Sequence, residues 1–287
     1  MRALDPEVKD AVWEAVAALI PAPVDTHPLG VHRPRADNRI CFEGILIRLV
    51  TGCSWEDAER LIGGVVSDTT LRSRRTEWVE AGVFDSLANE AISAYDKIIG
   101  LDLTETALDG SSHKSPVGGE GTGKNPCDRA KLGWKWSVLS DRNSIPLGWT
   151  AGPANQHDVD LLEPTLDSVS NRGLLGDIET LWLDRGYDSR RVRQLLKRKG
   201  ITDAIIAKKR RRGQKGRPKR KQTKPMGMRW PVERTNSWMS NFGQLRRNTD
   251  RYQAHRMAQI ALSVAFLITG KLIDWRKRWS ATPLPIR

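Results

Sequence analysis

The sequence predicts a protein of the α/β class, with an all-helical region ahead of a mixed sheet that is flanked by helices. In residues 1–99, apolar side chains recur at helical spacing between Pro and Gly breaks. From residue 100 the pattern changes to strand-like runs, first a hairpin and then strands that alternate with helices. That order of elements is typical of a mixed sheet. We therefore predict two regions, a helical one over 1–99 and a sheet-containing one over 100–287.

Five helices are predicted in the first region. They cover residues 4–20, the stretch from Asp37 that stops at Gly52, a segment that begins with the capping box SWED, a segment capped near Thr69, and residues 84–99. The third and fourth, separated by Gly63 and Gly64, resemble a helix-turn-helix, whose second helix reads DNA. The fourth carries three arginines that would then face DNA: Arg72, Arg74 and Arg75. The alternative is a small helical bundle with solvated arginines.

The second region alternates strands and helices. Strands are predicted at LTETALDG, KWSVLSD, IPLGWTAG, ETLWLDRGYD and TDAIIAK. Helices are predicted at HDVDLLEPTLDSV, SRRVRQLLKRKG, VERTNSWMSNFGQLRRNTDRY and AHRMAQIALSVAFLITGKLI. The motif NQHD, which ends in His157 and Asp158, is interpreted as a helix start with Asp158 as its cap, in at most a supporting role.

The composition favours a globular protein of the cytosol. Hydrophobic residues make up 39% of the chain and the mean hydropathy is -0.50. No apolar run approaches the length that we expect of a membrane span. The three cysteines give neither a disulfide framework nor a zinc-binding pair.

The positive charge is concentrated in one segment. The formal net charge is +13, and residues 208–224 hold eleven Lys or Arg and no acid, so the rest of the chain carries about +2. A concentrated basic segment favours a nucleic-acid partner, because neutralising phosphates releases counterions. The alternative is a solvated loop without a partner.

The stretch GGEGTGKN, from Gly118 to Asn125, differs by one residue from a phosphate-binding P-loop. A P-loop follows a strand directly and opens a helix. Here Pro116 precedes the glycines, and Pro126 follows them on the way into a strand. We therefore expect no nucleotide cofactor.

Three carboxylates form the strongest candidate for a chemical site. Asp109 and Asp184 each follow an apolar strand and precede a glycine turn, where sites gather in open α/β sheets. Either could instead be a turn former. Glu233 is the only carboxylate between Asp203 and Asp250, although it could simply pair with a neighbouring arginine. Three such oxygen ligands suit Mg²⁺ or Mn²⁺, and two ions roughly 3.5–4 Å apart would clamp a phosphoryl transfer.

Several stretches, in order along nearly the whole chain, resemble the IS5-like group of bacterial DDE transposases. They are DNRICFEGILIRLVTGCSWED, ALDGSSH, GKNPCDRAKLGWK, IPLGWTAGPANQHD, LDRGYDS and RWPVERTNSWMSNFGQLRRNTDRY. The resemblance implies an RNase H-like catalytic core, a helical DNA-binding region in front of it, and a metal-binding triad of Asp109, Asp184 and Glu233. It also implies cleavage and strand transfer at the ends of an insertion sequence, on double-stranded DNA, by a homo-oligomer in the cytoplasm at the nucleoid. Further predicted DNA contacts are Arg129, Lys131, Arg229, Arg234, Arg246 and Arg247.

The third-carboxylate signature of that group is Tyr, two residues, Arg, three residues, Glu, six residues, Lys. This chain keeps Arg229 and Glu233 but has Met226 at the Tyr position and Ser240 at the Lys position. Two alternatives to a transposase stay open, a DNA-binding regulator or decayed copy without activity, and an RNase H-like nuclease that cuts without joining.

Overall fold

The protein is described from a computed structural model that covers residues 2–22, 34–207 and 229–281. In chain order the α-helices of these residues are α1 Pro6–Leu19, α2 Asn38–Thr51, α3 Trp55–Leu61, α4 Asp68–Glu80, α5 Val83–Ile98, α6 Asp158–Ser170, α7 Arg190–Arg198, α8 Trp230–Met239, α9 Gly243–Arg246 and α10 Gln253–Ala281. The strands are β1 Glu105–Lys114, β2 Gly123–Lys124, β3 Leu132–Ser140, β4 Pro146–Pro153, β5 Thr180–Leu183 and β6 Asp203–Ile206.

The chain divides into two compact units. The helical unit comprises Met1–Ile99 together with Met239–Arg287, and the sheet unit comprises Gly100–Trp238. This division differs from the one predicted, because residues from 239 onward group with the first helices rather than with the sheet. The difference arises from α10, which packs along α5 and α1. Residues 1–99 also form the five helices expected, with the fourth capped by Ser67 rather than near Thr69.

Helix α10 supplies much of the core of the helical unit. Its buried face includes Ile260, Val264 and Ile268, none of which is exposed at all. By length and composition the window Gln253–Ser280 could also cross a membrane, so the expectation that no apolar run approaches that length was wrong. However, 61% of the apolar 18-residue window within this segment is buried inside the protein, as is usual for the core helix of a globular domain.

The sheet unit is a mixed sheet. Strand β1 lies at its centre, antiparallel to β3 and parallel to β5, and β5 is parallel to β6. Both β2 and β4 pair with β3 antiparallel. The fold class predicted from the sequence, a helical region and a mixed sheet flanked by helices, is confirmed.

The core of the sheet unit fixes which sheet face each helix covers. Leu108 and Leu139, on neighbouring strands, pack with Leu162 of α6 and with Leu195 of α7. Fully burying one such leucine contributes about 1.5–3 kcal/mol. Because side chains alternate along a strand, Asp109 and its pairing partner Val138 point to the opposite face. That face carries α8, since Trp136 of β3 contacts Asn236 there.

Candidate active site

Strand pairing places Asp109 beside Asp184. In the parallel ladder Ala107 pairs with Trp182, so two residues further along each strand Asp109 comes level with Asp184. Adjacent strands lie about 4.8 Å apart, which brings level residues together. One expectation was wrong in detail: Asp109 does not end its strand, because β1 continues to Lys114. Strand β5 does end immediately before Asp184, as predicted.

Each of these two carboxylates uses one oxygen for the local backbone. Asp109 Oδ1 accepts from the N–H of Gly110 at 2.9 Å, and Asp184 Oδ1 accepts from the N–H of Gly186 at 2.6 Å. The Asp184 bond caps the short 3₁₀ turn Arg185–Tyr187. The alternative role considered for these residues, bonding to the local backbone, is therefore present, and it occupies only one oxygen of each carboxylate.

Arg229 connects Asp109 to Glu233. Its Nη2 lies 3.4 Å from Asp109 Oδ2 and 3.8 Å from Glu233 Oε1. Glu233 stands in the first turn of α8 with 61% of its side chain exposed, whereas Asp109 is only 23% exposed. One guanidinium thus faces two of the three predicted carboxylates.

The surroundings of Asp109 disfavour its charged form. Burial raises the pKa of Asp109, and the negative charges of Asp184 and Asp158 act in the same direction. The N–H of Gly110 and the Arg229 guanidinium oppose that rise without cancelling it. The same three carboxylates add to the effect of burial in raising the pKa of Tyr187 well above its usual value. Burial, with a smaller contribution from neighbouring carboxylates, therefore favours the neutral forms of Asp109 and Tyr187 at this edge of the sheet.

The sequence did not predict that Asp158 lies against Gly110, the residue after Asp109. A Cβ added to Gly110 would lie 3.0 Å from Asp158 Oδ1. Lys135, largely buried, donates its ammonium to Asp158 Oδ1 at 2.9 Å and to the carbonyl of Gln156 at 2.8 Å. Residue His157, not Asp158, is the N-cap of α6. The motif NQHD marked Asp158 as a candidate residue, but nothing in the motif indicated that Lys135 would contact it.

Helix α8 is held on the sheet by hydrogen bonds. Trp136 Nε1 donates to Asn236 Oδ1 at 2.7 Å. Thr235 Oγ1 donates to the carbonyl of Ser144 and accepts from Ser140 Oγ, both at 2.9 Å. Arg234 Nε donates to Ser144 Oγ at 2.9 Å. These contacts set the position of Glu233, one turn before Asn236.

A divalent cation fits the chemistry of this donor set. Carboxylate oxygens are the ligands that Mg²⁺ and Mn²⁺ prefer, and strand register brings two of them level here, on Asp109 and Asp184. Within residues 2–22, 34–207 and 229–281, however, no three acidic, histidine or cysteine side chains stand close enough together to hold a metal. Glu233 is joined to Asp109 only through Arg229, so it would have to approach the pair to act as a third ligand.

Two predicted DNA contacts in the helical unit are buried instead. Arg74 is 4% exposed and donates to the carbonyl of Ala36, and Arg75 is 8% exposed and pairs with Asp250 Oδ1 at 3.0 Å. Their side chains cannot reach DNA in this conformation, so the prediction for these two is corrected. They lie on the face of α4 that packs inside the unit. Arg72 is exposed on the other face and pairs with Asp68 at 2.9 Å.

Most of the other predicted contacts lie on surfaces. Arg129 and Lys131 are exposed in the loop before β3, and Arg129 has a φ of 50°, which is uncommon for a side chain other than glycine. Arg246 and Arg247 are exposed at the end of α9. Arg234 stacks over Trp230, 4.3 Å from the ring centre. The basic segment 208–224 lies outside the described residues, as does Met226.

The structure also shows how the chain runs after Glu233 and through the glycine-rich stretch. The helix predicted through residues 232–252 is broken, because α8 ends at Met239 and α9 begins at Gly243. Gln244 therefore lies on a different helix from Glu233, and it is fully buried. In the glycine-rich stretch, Gly123 and Lys124 form the edge strand β2, and the chain then turns directly into β3.

Comparisons with known proteins agree on one family. Residues 8–88 match a family described as a putative transposase of the IS4/5 family, and residues 101–268 match the transposase DDE domain. A putative transposase for insertion sequence element IS402 of Burkholderia cepacia is 38% identical over 135 residues, which are 45% of this chain and 60% of that protein. The uncharacterized 16.2 kDa protein of IS402, from the same organism, is 29% identical over 42% of this chain and 82% of its own length.

Similarity to solved structures is low. The Mos1 transposase paired-end complex with the left transposon end is 10% identical, with a TM-score of 0.26 over 87% of this chain and 82% of that chain. The match to the IS402 transposase spans less than two thirds of that relative's length. The DDE-domain match, by contrast, covers more than half of the present chain. The protein is therefore a member of the transposase DDE domain family.

Proposed function

We propose that the protein cleaves and joins DNA at the ends of an insertion sequence by phosphoryl transfer, with Asp109, Asp184 and Glu233 as its catalytic carboxylates. The observation that carries the proposal is the register of β1 and β5, which brings Asp109 level with Asp184. The contacts of Arg229 to Asp109 and Glu233 support the inclusion of the third acid.

DDE transposases in general use divalent metal ions. We propose Mg²⁺ or Mn²⁺ here, as two ions, held by Asp109 and Asp184 through the carboxylate oxygens that do not bond to Gly110 or Gly186. When bound, such ions would activate the attacking hydroxyl and stabilise charge at the phosphate. Arg229 would exchange its carboxylate partners for a DNA phosphate, because a guanidinium binds both groups in the same way.

Double-stranded DNA is the proposed partner. The exposed cations among the residues predicted to contact it stay candidates: Arg72, Arg129, Lys131, Arg229, Arg234, Arg246 and Arg247. The basic segment 208–224 is proposed to hold phosphates without reading sequence. Because two element ends must be cut, we propose that the protein acts as a homo-oligomer on DNA, in the cytoplasm at the nucleoid.

The test replaces each acid by its amide: Asp109→Asn, Asp184→Asn and Glu233→Gln. The amides keep the shape of the side chain and the acceptors for Gly110 and Gly186 but remove the charge. We expect nicking of end DNA with Mg²⁺ to fall more than about a hundredfold, since even indirect partners of a metal are worth 10–100-fold. Binding to DNA in a chelator should become about twofold tighter, as one repulsive charge about 10 Å from a phosphate costs roughly 0.4 kcal/mol in water.

The matched control is Glu105→Gln, on the same face of β1 but four residues away from Asp109, beside Arg142 at 3.7 Å. It should cut at the normal rate. If Glu233→Gln also cuts normally, Glu233 is not a catalytic residue. Two other outcomes concern the unmodified protein. If it cleaves DNA but does not join a pre-cut end, it is a nuclease; if it binds DNA and carries out neither reaction, it is a regulator.

A further inference from the structure

Helix α7 and the turn before it form a cationic surface that none of the predicted contacts includes. Residues 185–199 contain seven Arg or Lys and a single carboxylate, Asp188. The turn begins directly after Asp184, whose side chain caps it, and Ser189 then caps α7. The surface therefore starts at the proposed catalytic edge of the sheet and leads away from it.

Three of the seven cations are neutralised within the sheet unit. Arg191 pairs with Asp160 at 2.8 Å, Arg193 pairs with Asp188 at 2.7 Å, and Lys199 contacts Asp167. The other four are exposed, and no ion pair is found for them among the residues that the structure describes. These four, Arg185, Arg190, Lys197 and Arg198, are called the α7 surface below.

The packing of α7 fixes the direction of these cations. Val192, Leu195 and Leu196 are buried in the core of the sheet unit. At 100° per residue, Arg190 and Lys197 fall opposite that apolar face, and Arg198 lies at its flank. The rise of 1.5 Å per residue separates Arg190 from Lys197 by about 10 Å along the helix. Because its apolar face is buried, α7 presents an extended row of positively charged side chains to solvent.

A row of exposed cations can serve solubility alone, in which case it touches no partner. Two features favour a polyanion here. Four unneutralised cations lie within fourteen residues, although the same segment already uses its nearby acids for the other three. The row is also continuous with Asp184, the point at which the proposed reaction brings a DNA backbone to the protein.

We propose that the α7 surface binds the phosphate backbone of duplex DNA that extends from the carboxylate edge. This rests on the proposed function for the identity of the polyanion. The chemistry is shared by two duplexes, the element end and the target DNA. Contact with backbone phosphates positions a duplex and carries no base information, so the surface should act equally on all sequences.

The test is the full-length triple variant Arg190→Gln, Lys197→Gln and Arg198→Gln. Glutamine preserves the helix-forming side chain and removes the charge. Arg185 is left unchanged because it adjoins Asp184. The control is a triple variant of equal charge away from α7, made at Lys97, Arg142 and Lys277, all exposed. Thermal unfolding of both proteins verifies that they are folded.

Affinity for labelled duplexes is measured in a chelator over a series of salt concentrations. If all three side chains contact phosphates, the slope of log affinity against log salt should fall by up to about 2.7, since each contact contributes about 0.9. At 0.1 M salt the binding should be at least about tenfold weaker, for end and unrelated sequences alike. Affinity and slope equal to those of the control triple variant would overturn the proposal.

Two reactions then identify the duplex. If the surface holds target DNA, the variant should cut element ends at the normal rate but lose joining of a pre-cut end to a plasmid. If it holds the element end, cleavage and joining should fall together. The binding measurement needs no catalysis. It therefore judges the α7 surface even if the amide variants of the three carboxylates disprove the proposed reaction.

Discussion

Replacing Asn236 by leucine should uncouple the position of Glu233 from the sheet. Asn236 Oδ1 accepts the only hydrogen that the indole N–H of Trp136 can donate, at 2.7 Å. Trp136 is fully buried, so water cannot replace the lost acceptor. Leucine has the same branched arrangement of side-chain heavy atoms as asparagine but offers no acceptor to the indole N–H.

The expected loss of stability follows from that orphaned donor. A buried donor without a partner costs about 1–3 kcal/mol, and the lost bond itself contributes about 1 kcal/mol within that range. We therefore expect the free energy of unfolding to fall by about 2 kcal/mol. The remaining bonds of α8, from Thr235 and Arg234 to Ser144, should keep the protein folded. Glu233, one turn earlier and 61% exposed, should lose its fixed position.

Chemical denaturation, end cleavage and DNA binding in a chelator are measured on Asn236→Leu. Stability and cleavage should fall while binding stays unchanged. Ser237→Ala, at the next and exposed position, is the control and should alter none of the three. Trp136→Phe, alone and together with Asn236→Leu, completes a double-mutant cycle: Asn236→Leu should cost less stability in the Trp136→Phe background, where no indole N–H is left without an acceptor. A stable, fully active Asn236→Leu would refute the role assigned to this bond.

Two further predictions concern stability. Asp141 is fully buried and accepts from the N–H groups of Asn143 and Ile145, and burial raises its pKa from 3.8 to about 6. The fold favours the protonated form of Asp141, so its contribution to stability is fully present below pH 3.8 and is lost as the pH rises through 6. Relative to Asp141→Asn, the unmodified protein should therefore lose about 2 kcal/mol between pH 4 and 6.5, and parallel denaturation curves at the two pH values would disprove this. Gly243→Ala would place a Cβ 2.4 Å from the backbone carbon of Thr51, so we expect the free energy of unfolding to fall by about 1–3 kcal/mol. The control is Gly270→Ala, whose added Cβ meets no atom within 4 Å and should cost no stability in the same thermal unfolding measurement.

Local pattern was sufficient to predict most of the secondary structure. Caps such as Ser54 and the glycine stops marked helix ends correctly, because these signals depend on the few residues around them. The same holds for β5, which ends where an apolar run meets Asp184. Strand β1 was predicted too short, since Ser111 to Lys114 lack the apolar alternation of a strand and are held in the ladder by β3. Pairing across the sheet overrode local preference there.

The errors at the candidate site have a common physical origin. Arg74 and Arg75 look like surface cations in the sequence, and their burial depends on Asn38 and on Asp250, the latter 175 residues away. The contact of Lys135 with Asp158 likewise joins β3 to the start of α6. An arginine or lysine is buried when a distant acceptor satisfies it, and no local pattern reports that acceptor.

Within the proposed site, strand pairing positions two of the carboxylates and side-chain contacts position the third. Asp109 lies within β1 and Asp184 directly follows β5, so the pairing of these two strands places them at the same level. Glu233 is placed by α8, which bonds to β3 and to the turn after it through the side chains of Arg234, Thr235 and Asn236. Its carboxylate meets Asp109 only through Arg229. Strand pairing therefore relates the two aspartates to each other, whereas the position of Glu233 depends on side-chain contacts made by α8 and Arg229.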